Sequence, residues 1–199
     1  GKRNFEGTMF QSSMTFPKNS VLAKTLSLEM EHGKAESSRR VETQLLHFDG
    51  RFWRGYTYAW NDEQTDAELV ERNGRDITLS VVDAAVPGGK REQTWHFPSR
   101  MECVRCHNQW AEYSLAFNPR QLNVVSGKAL AAGPQRNEFN QLDELQSAGV
   151  IELRDDDDKL IPEPHLKIAR LANPHDEHAS LEARARAYLH ANCAHCHRT

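Results

Sequence analysis

All four cysteines of this chain fall in two copies of one pentapeptide, Cys103-Val104-Arg105-Cys106-His107 and Cys193-Ala194-His195-Cys196-His197. Both read C-x-x-C-H. In that spacing two thiols add to the two vinyl groups of one porphyrin, and the adjacent imidazole takes the iron. A shuffled chain of this composition would hold one such motif with odds of about 0.4%, so two copies are not an accident. The motifs predict two covalently bound haem c groups. Cys103, Cys106, Cys193 and Cys196 are the expected thioether anchors, and His107 and His197 the expected proximal iron ligands. A porphyrin is also a large apolar plate, and burying it compensates for a hydrophobic content of only 38%.

Two other uses of paired cysteines fit less well. One structural zinc could be held by two C-x-x-C pairs. The long stretch between residues 106 and 193 is far beyond a ribbon or knuckle, and zinc gives no reason for a histidine directly after each pair. A dithiol redox centre belongs in a thioredoxin-like βαβ context, which is absent. Net charge narrows the partners. Twenty-five Lys and Arg against 28 Asp and Glu leave −3, so there is no basic field for a dedicated nucleic-acid protein. No run approaches the length of a membrane span. The opening lacks an initiator Met and a charged-then-apolar leader, as expected of a processed product or a piece of something longer.

The text changes character near residue 97 and predicts an α+β chain. Residues 1–15 are polar and read as a loose arm. Residues 16–97 read as an antiparallel β meander of about six strands. Residues 21–28 and 41–48 are candidate strands, followed by Asp49-Gly50, a hairpin dipeptide. Residues 51–60 then alternate, with Phe52, Tyr56, Tyr58 and Trp60 on one face, expected to be sheet core. Asn73-Gly74 reads as a second hairpin between residues 68–70 and 77–82, and Pro87-Gly88-Gly89 as a third turn before residues 93–97.

Residues 98–199 read as a helical di-haem region. Ser99 and Glu102 form a capping box that starts a helix at the first motif. Asn118-Pro119 starts another helix. Residues 138–148 carry Phe139, Leu142 and Leu145 at helical spacing, and Gly149 stops them. Ser180 caps a last helix, with Leu181, Ala185, Tyr188 and Leu189 as its apolar stripe, running into the second motif. Residues 150–179 read as loop, and the run Asp155 to Lys159 as a solvated acidic turn.

The sixth ligand of each iron is the open question. Met101 is too near Cys103 to swing over, which leaves Met9 or Met14 on the arm as the reach for a Met ligand. Among the histidines outside the ligand positions, His96 and His190 are candidates for a haem edge or propionate. His195 is expected in solvent. His175 and His178 look like a metal pair but read as a solvated loop. Arg184 and Arg186 could reach propionates or be exposed helix charge.

Several phrases carry a resemblance. They are Phe16-Pro17 with residues 21–25, residues 41–46, Gly55-Tyr56-Thr57-Tyr58-Ala59-Trp60-Asn61, residues 97–103, Asn140-Gln141-Leu142, and residues 184–198 through the second motif. Together they resemble a family of exported bacterial, planctomycete-type di-haem c-type cytochrome modules, often fused to PQQ-type sugar dehydrogenase-like domains. The likeness spans about residues 16–198. It implies a periplasmic or otherwise extracytoplasmic electron carrier. Such a carrier would pass electrons between an exported dehydrogenase or partner complex and a respiratory acceptor. Family members typically run past the second motif, so a sixth ligand from that part is not in these residues. Two alternatives stay open at this point. One is a haem enzyme, peroxidase-like or oxidising, with one open iron site. The other is a haem-bearing structural subunit of a larger complex.

Overall fold

The structure is a computed structural model. It describes residues 15–115, 117–126, 139–155, 157–195 and 197. The expected loose arm, with Met9 and Met14, therefore lies outside the described residues, as does Cys196. The chain is α+β, with an antiparallel N-terminal sheet and few helices. It divides into two compact units, one of residues 15–108 and the other containing residues 109–199.

The first unit holds six strands in two sheets. Strands β1 (Val21–Glu29), β2 (Ser38–Phe48), β3 (Trp53–Trp60) and β4 (Ala67–Leu69) form one sheet in sequence order. Strands β5 (Arg75–Val82) and β6 (Lys90–Phe97) form a separate hairpin. The expected turn at Asp49-Gly50 joins β2 to β3. The Asp49 carboxylate accepts from the amides of Arg51 and Phe52, and Gly50 takes φ +99°. Pro87-Gly88-Gly89 turns β5 into β6, where the Asp83 amide donates to the Gly89 carbonyl.

Two expectations are corrected here. Asn73-Gly74 is not a hairpin, because β4 pairs with β3 and the chain then crosses to the second sheet. Gly74 serves a different purpose. At φ +72° it lies so near the Phe97–Ser99 segment that a Cβ there would stand 2.4 Å from the Phe97 carbonyl. The aromatic stripe of β3 is not the core face either. Thr57 and Ala59 are the buried residues of that strand, whereas Tyr56, Tyr58 and Trp60 are half-buried. Trp60 and Tyr56 have polar and cationic neighbours: Trp60 donates to Thr43 (2.8 Å) and lies under Arg40, and Arg100 stands over Tyr56.

The core of this unit gathers Val41, Ala59, Val70 and Phe97. Leu28, Ile77, Leu79 and Trp95 pack against it. Pairing Ile77 with Trp95 and Leu79 with Gln93 puts the apolar residues of β5 and β6 on one face. A bulge shapes β2: the register to β1 passes from Leu26↔Glu42 to Ser27↔Arg40, leaving Val41 extra. Val41 and Glu42 are consequently both buried.

The second unit has short helices around its own apolar cluster of Leu122, Leu142, Ile151 and Leu153. Helix α2 is Pro119–Leu122, capped by Asn118. Strands β7 (Val125–Ser126) and β8 (Phe139–Asn140) pair, and α3 (Gln141–Ser147) follows. The helix expected from residue 138 thus begins later. Phe139 and Asn140 are strand, and the Asn140 side chain caps α3 by accepting from Leu142. Gly149, at φ +68°, ends it as expected. Its amide bonds Gln146, and the Val150 amide bonds Leu145. Helix α4 (Pro164–Lys167) is a single turn inside the region read as loop. The described residues of the acidic run, 155 and 157–159, are exposed, and the Asp155 carboxylate accepts from the amides of Asp157 and Lys159. Helix α5 (Leu181–Asn192) starts at Ser180, whose hydroxyl accepts from Ala183.

Candidate functional site

The first motif lies on α1 (Arg100–Cys106). Its capping box forms as the sequence predicts: Ser99 Oγ accepts from the Glu102 amide at 3.2 Å, and Glu102 accepts from the Ser99 amide at 2.8 Å. The sequence boundary at residue 97 marks the change from strand to helix, but the compact unit continues to Asn108. The α1 segment is tied down at three points. The Arg100 amide donates to the Arg72 carbonyl in the loop after β4, the Thr57 hydroxyl on β3 donates to the Pro98 carbonyl just before the helix, and Cys103 packs on β3.

That last contact is the tightest. A Cβ on Gly55 would lie 2.8 Å from Cys103 Cβ and 2.9 Å from its Sγ. Only glycine leaves room for the first cysteine of the motif. Burial against the sheet pushes the Cys103 thiol above its ordinary range, and the charges of Glu42 and Glu102 add to the effect. Cys106, one turn on, is exposed.

His96 clamps the start of this helix. The β5–β6 register sets it opposite Asp76. Its Nδ1 meets Asp76 Oδ1 at 2.5 Å and its Nε2 meets Glu102 at 3.2 Å. Hydrogen bonds to these two carboxylates raise the His96 pKa. Glu102 is drawn down to about 2, chiefly by the Ser99 backbone amide. His96 is therefore a strut between two carboxylates, not a free side chain available to a haem edge.

The second motif follows α5 directly. Here the expected apolar stripe is inverted. Ala187 and His190 are the buried residues of the helix, while Leu181, Tyr188 and Leu189 are 77%, 57% and 54% exposed. Arg184 donates to the Pro174 carbonyl and Arg186 pairs with Glu182, so neither waits for a propionate. His175 and His178 are exposed, with backbone amides bonded to Asn173 and Asp176. His165 pairs with Asp143. His195 is half-buried and His197 exposed.

The two motifs make the same backbone bond. The His107 amide donates to the Cys103 carbonyl at 2.9 Å, and the His197 amide donates to the Cys193 carbonyl at 2.9 Å. Each bond closes one α-turn across the motif, which brings its first cysteine and its histidine to the same side. Cys103, Cys106 and Cys193 are free thiols. Free thiols and an imidazole on one side of a helical turn fit covalent haem attachment. Met101 and Val104 before His107, and Tyr188 and Leu189 before Cys193, are exposed apolar side chains. Among the described residues no group of three or more His, Cys, Asp or Glu comes together to hold a metal ion, and none of their helices is long and apolar enough to cross a membrane.

Gly55 and Glu42 were not foreseen from the sequence. Gly55 carried a signal, since a glycine inside an alternating aromatic strand marks a close approach. Glu42 carried none, because its burial depends on the bulge. No family profile, curated protein or solved structure matches this chain.

Proposed function

We propose that this protein is a di-haem c-type cytochrome that carries electrons outside the cytoplasm. It would work between an exported dehydrogenase or partner complex and a respiratory acceptor. The observation that carries the reading is the repeated α-turn, His amide to first Cys carbonyl at 2.9 Å, in both C-x-x-C-H motifs. When bound, each haem supplies a one-electron couple at its iron. The chain's part is to hold and tune it. Cys103 with Cys106, and Cys193 with Cys196, anchor the two groups, and His107 and His197 take the irons. The sheet supports the first anchor through Gly55, and α5 leads into the second. The resemblance to planctomycete-type exported modules supports the same reading, and haem attachment of this kind takes place outside the cytoplasm.

Reversible reduction of protein matured in a bacterial periplasm tests the role. A carrier shows a full, repeatable cycle with dithionite and ferricyanide, and its reduced spectrum is unchanged by carbon monoxide. A reduced form that binds carbon monoxide at one haem would overturn the closed-carrier reading in favour of an open iron with catalytic use.

A further inference from the structure

Glu42 is the most deeply buried acid of the described chain, with 2% of its surface exposed. Its oxygens accept from two neutral donors, Gln44 Nε2 at 2.8 Å and Trp95 Nε1 at 3.0 Å. Among the described residues no Lys, Arg or His forms an ion pair with it. A buried carboxylate without a cation is a costly thing to keep in a core. Its position gives that cost a use. Glu42 is paired with Ala59, and Leu46 with Gly55, so all four share the buried face of the sheet. Cys103 packs on that same face at Gly55.

We propose that the buried Glu42 carboxylate lowers the reduction potential of the haem held by Cys103 and Cys106. The inference rests on the di-haem reading. A negative charge in a poorly screened interior favours the oxidised, more positive iron over the reduced one. Glu42 acts through space, as a tuning residue. If it served only as an acceptor for Trp95 and Gln44, removing its charge would leave both midpoints in place.

The test is a spectroelectrochemical titration of the full holoprotein, with Glu42→Gln and Glu42→Asp beside the wild type. Glu42→Gln should raise one midpoint, by about 59 mV for a tenfold change in a one-electron equilibrium, and leave the other in place. Glu42→Asp keeps the charge and should return that midpoint toward the wild-type value. Far-ultraviolet circular dichroism checks that each variant folds. Midpoints that stay put in a folded Glu42→Gln protein would overturn the inference, as would Glu42→Asp shifting like Glu42→Gln. Wild-type protein without haem would instead overturn the di-haem reading itself.

Discussion

Gly55 is the residue on which the first motif's seating depends. Any side chain there meets Cys103 at under 3 Å, and the obstruction is the body of the motif, not a flexible tip. Gly55→Ala should therefore cost about 1–3 kcal/mol, the range for overpacking a close contact. It should also reduce covalent haem at the first motif while leaving the second loaded. Peptide mass mapping of the haem-bearing fragments, with a thermal melt alongside, checks both halves of this expectation. The motif itself was legible in the sequence because thioether chemistry fixes its spacing locally. The residue that makes room for it was only half legible. A strand glycine announces a close approach, but which side chain approaches is decided by α1 folding back from a distance in the chain.

Helix α1 is held at its N-terminus by a short chain of polar groups, Asp76, His96, Glu102 and Ser99. Ser99→Ala removes the N-cap acceptor and should cost about 1 kcal/mol, read from a urea midpoint. The pH dependence has two windows. Glu102 has its pKa lowered in the folded protein, from 4.5 to about 2. Its contribution is thus full above the unfolded value and is lost as pH falls from 4.5 toward 2. His96 has its pKa raised above 6.5. Its contribution is full below 6.5 and is lost as pH rises through the raised folded value. Urea midpoints measured across pH should fall on both flanks, and His96→Ala should flatten the alkaline one. An alkaline flank that survives in His96→Ala would contradict the strut. Caps and turns such as this box, Asp49-Gly50 and Gly149 were readable because their bonds lie within a few residues. Partner choice was not: nothing local says that β4 pairs with β3 and not with β5. Helix α5 shows the same limit. Periodicity groups Leu181, Tyr188 and Leu189 on one side but does not say whether other parts of the chain cover that side.

At the scale of the whole molecule, each compact unit has its own buried cluster and its own C-x-x-C-H motif. Phe97 and Leu142 are almost wholly inaccessible at the centres of the two clusters. Phe97→Ala should cost about 3–5 kcal/mol and Leu142→Ala about 2–5 kcal/mol, each felt in its own unit. Calorimetry of the two variants should show a different part of the unfolding profile moving in each. Identical displacement of the whole profile would mean the units melt as one. The α+β organisation was visible from the change of pattern near residue 97, whereas the extension of the first unit to Asn108 follows from the packing of α1 on β3. The central claim is that both motifs carry covalent haem, and a pyridine haemochrome spectrum of the denatured, periplasmically matured protein, quantified per chain, tests it most directly. Two haems per chain, with the spectrum of thioether-linked porphyrin, are expected. A chain that matures fully folded with none would contradict it.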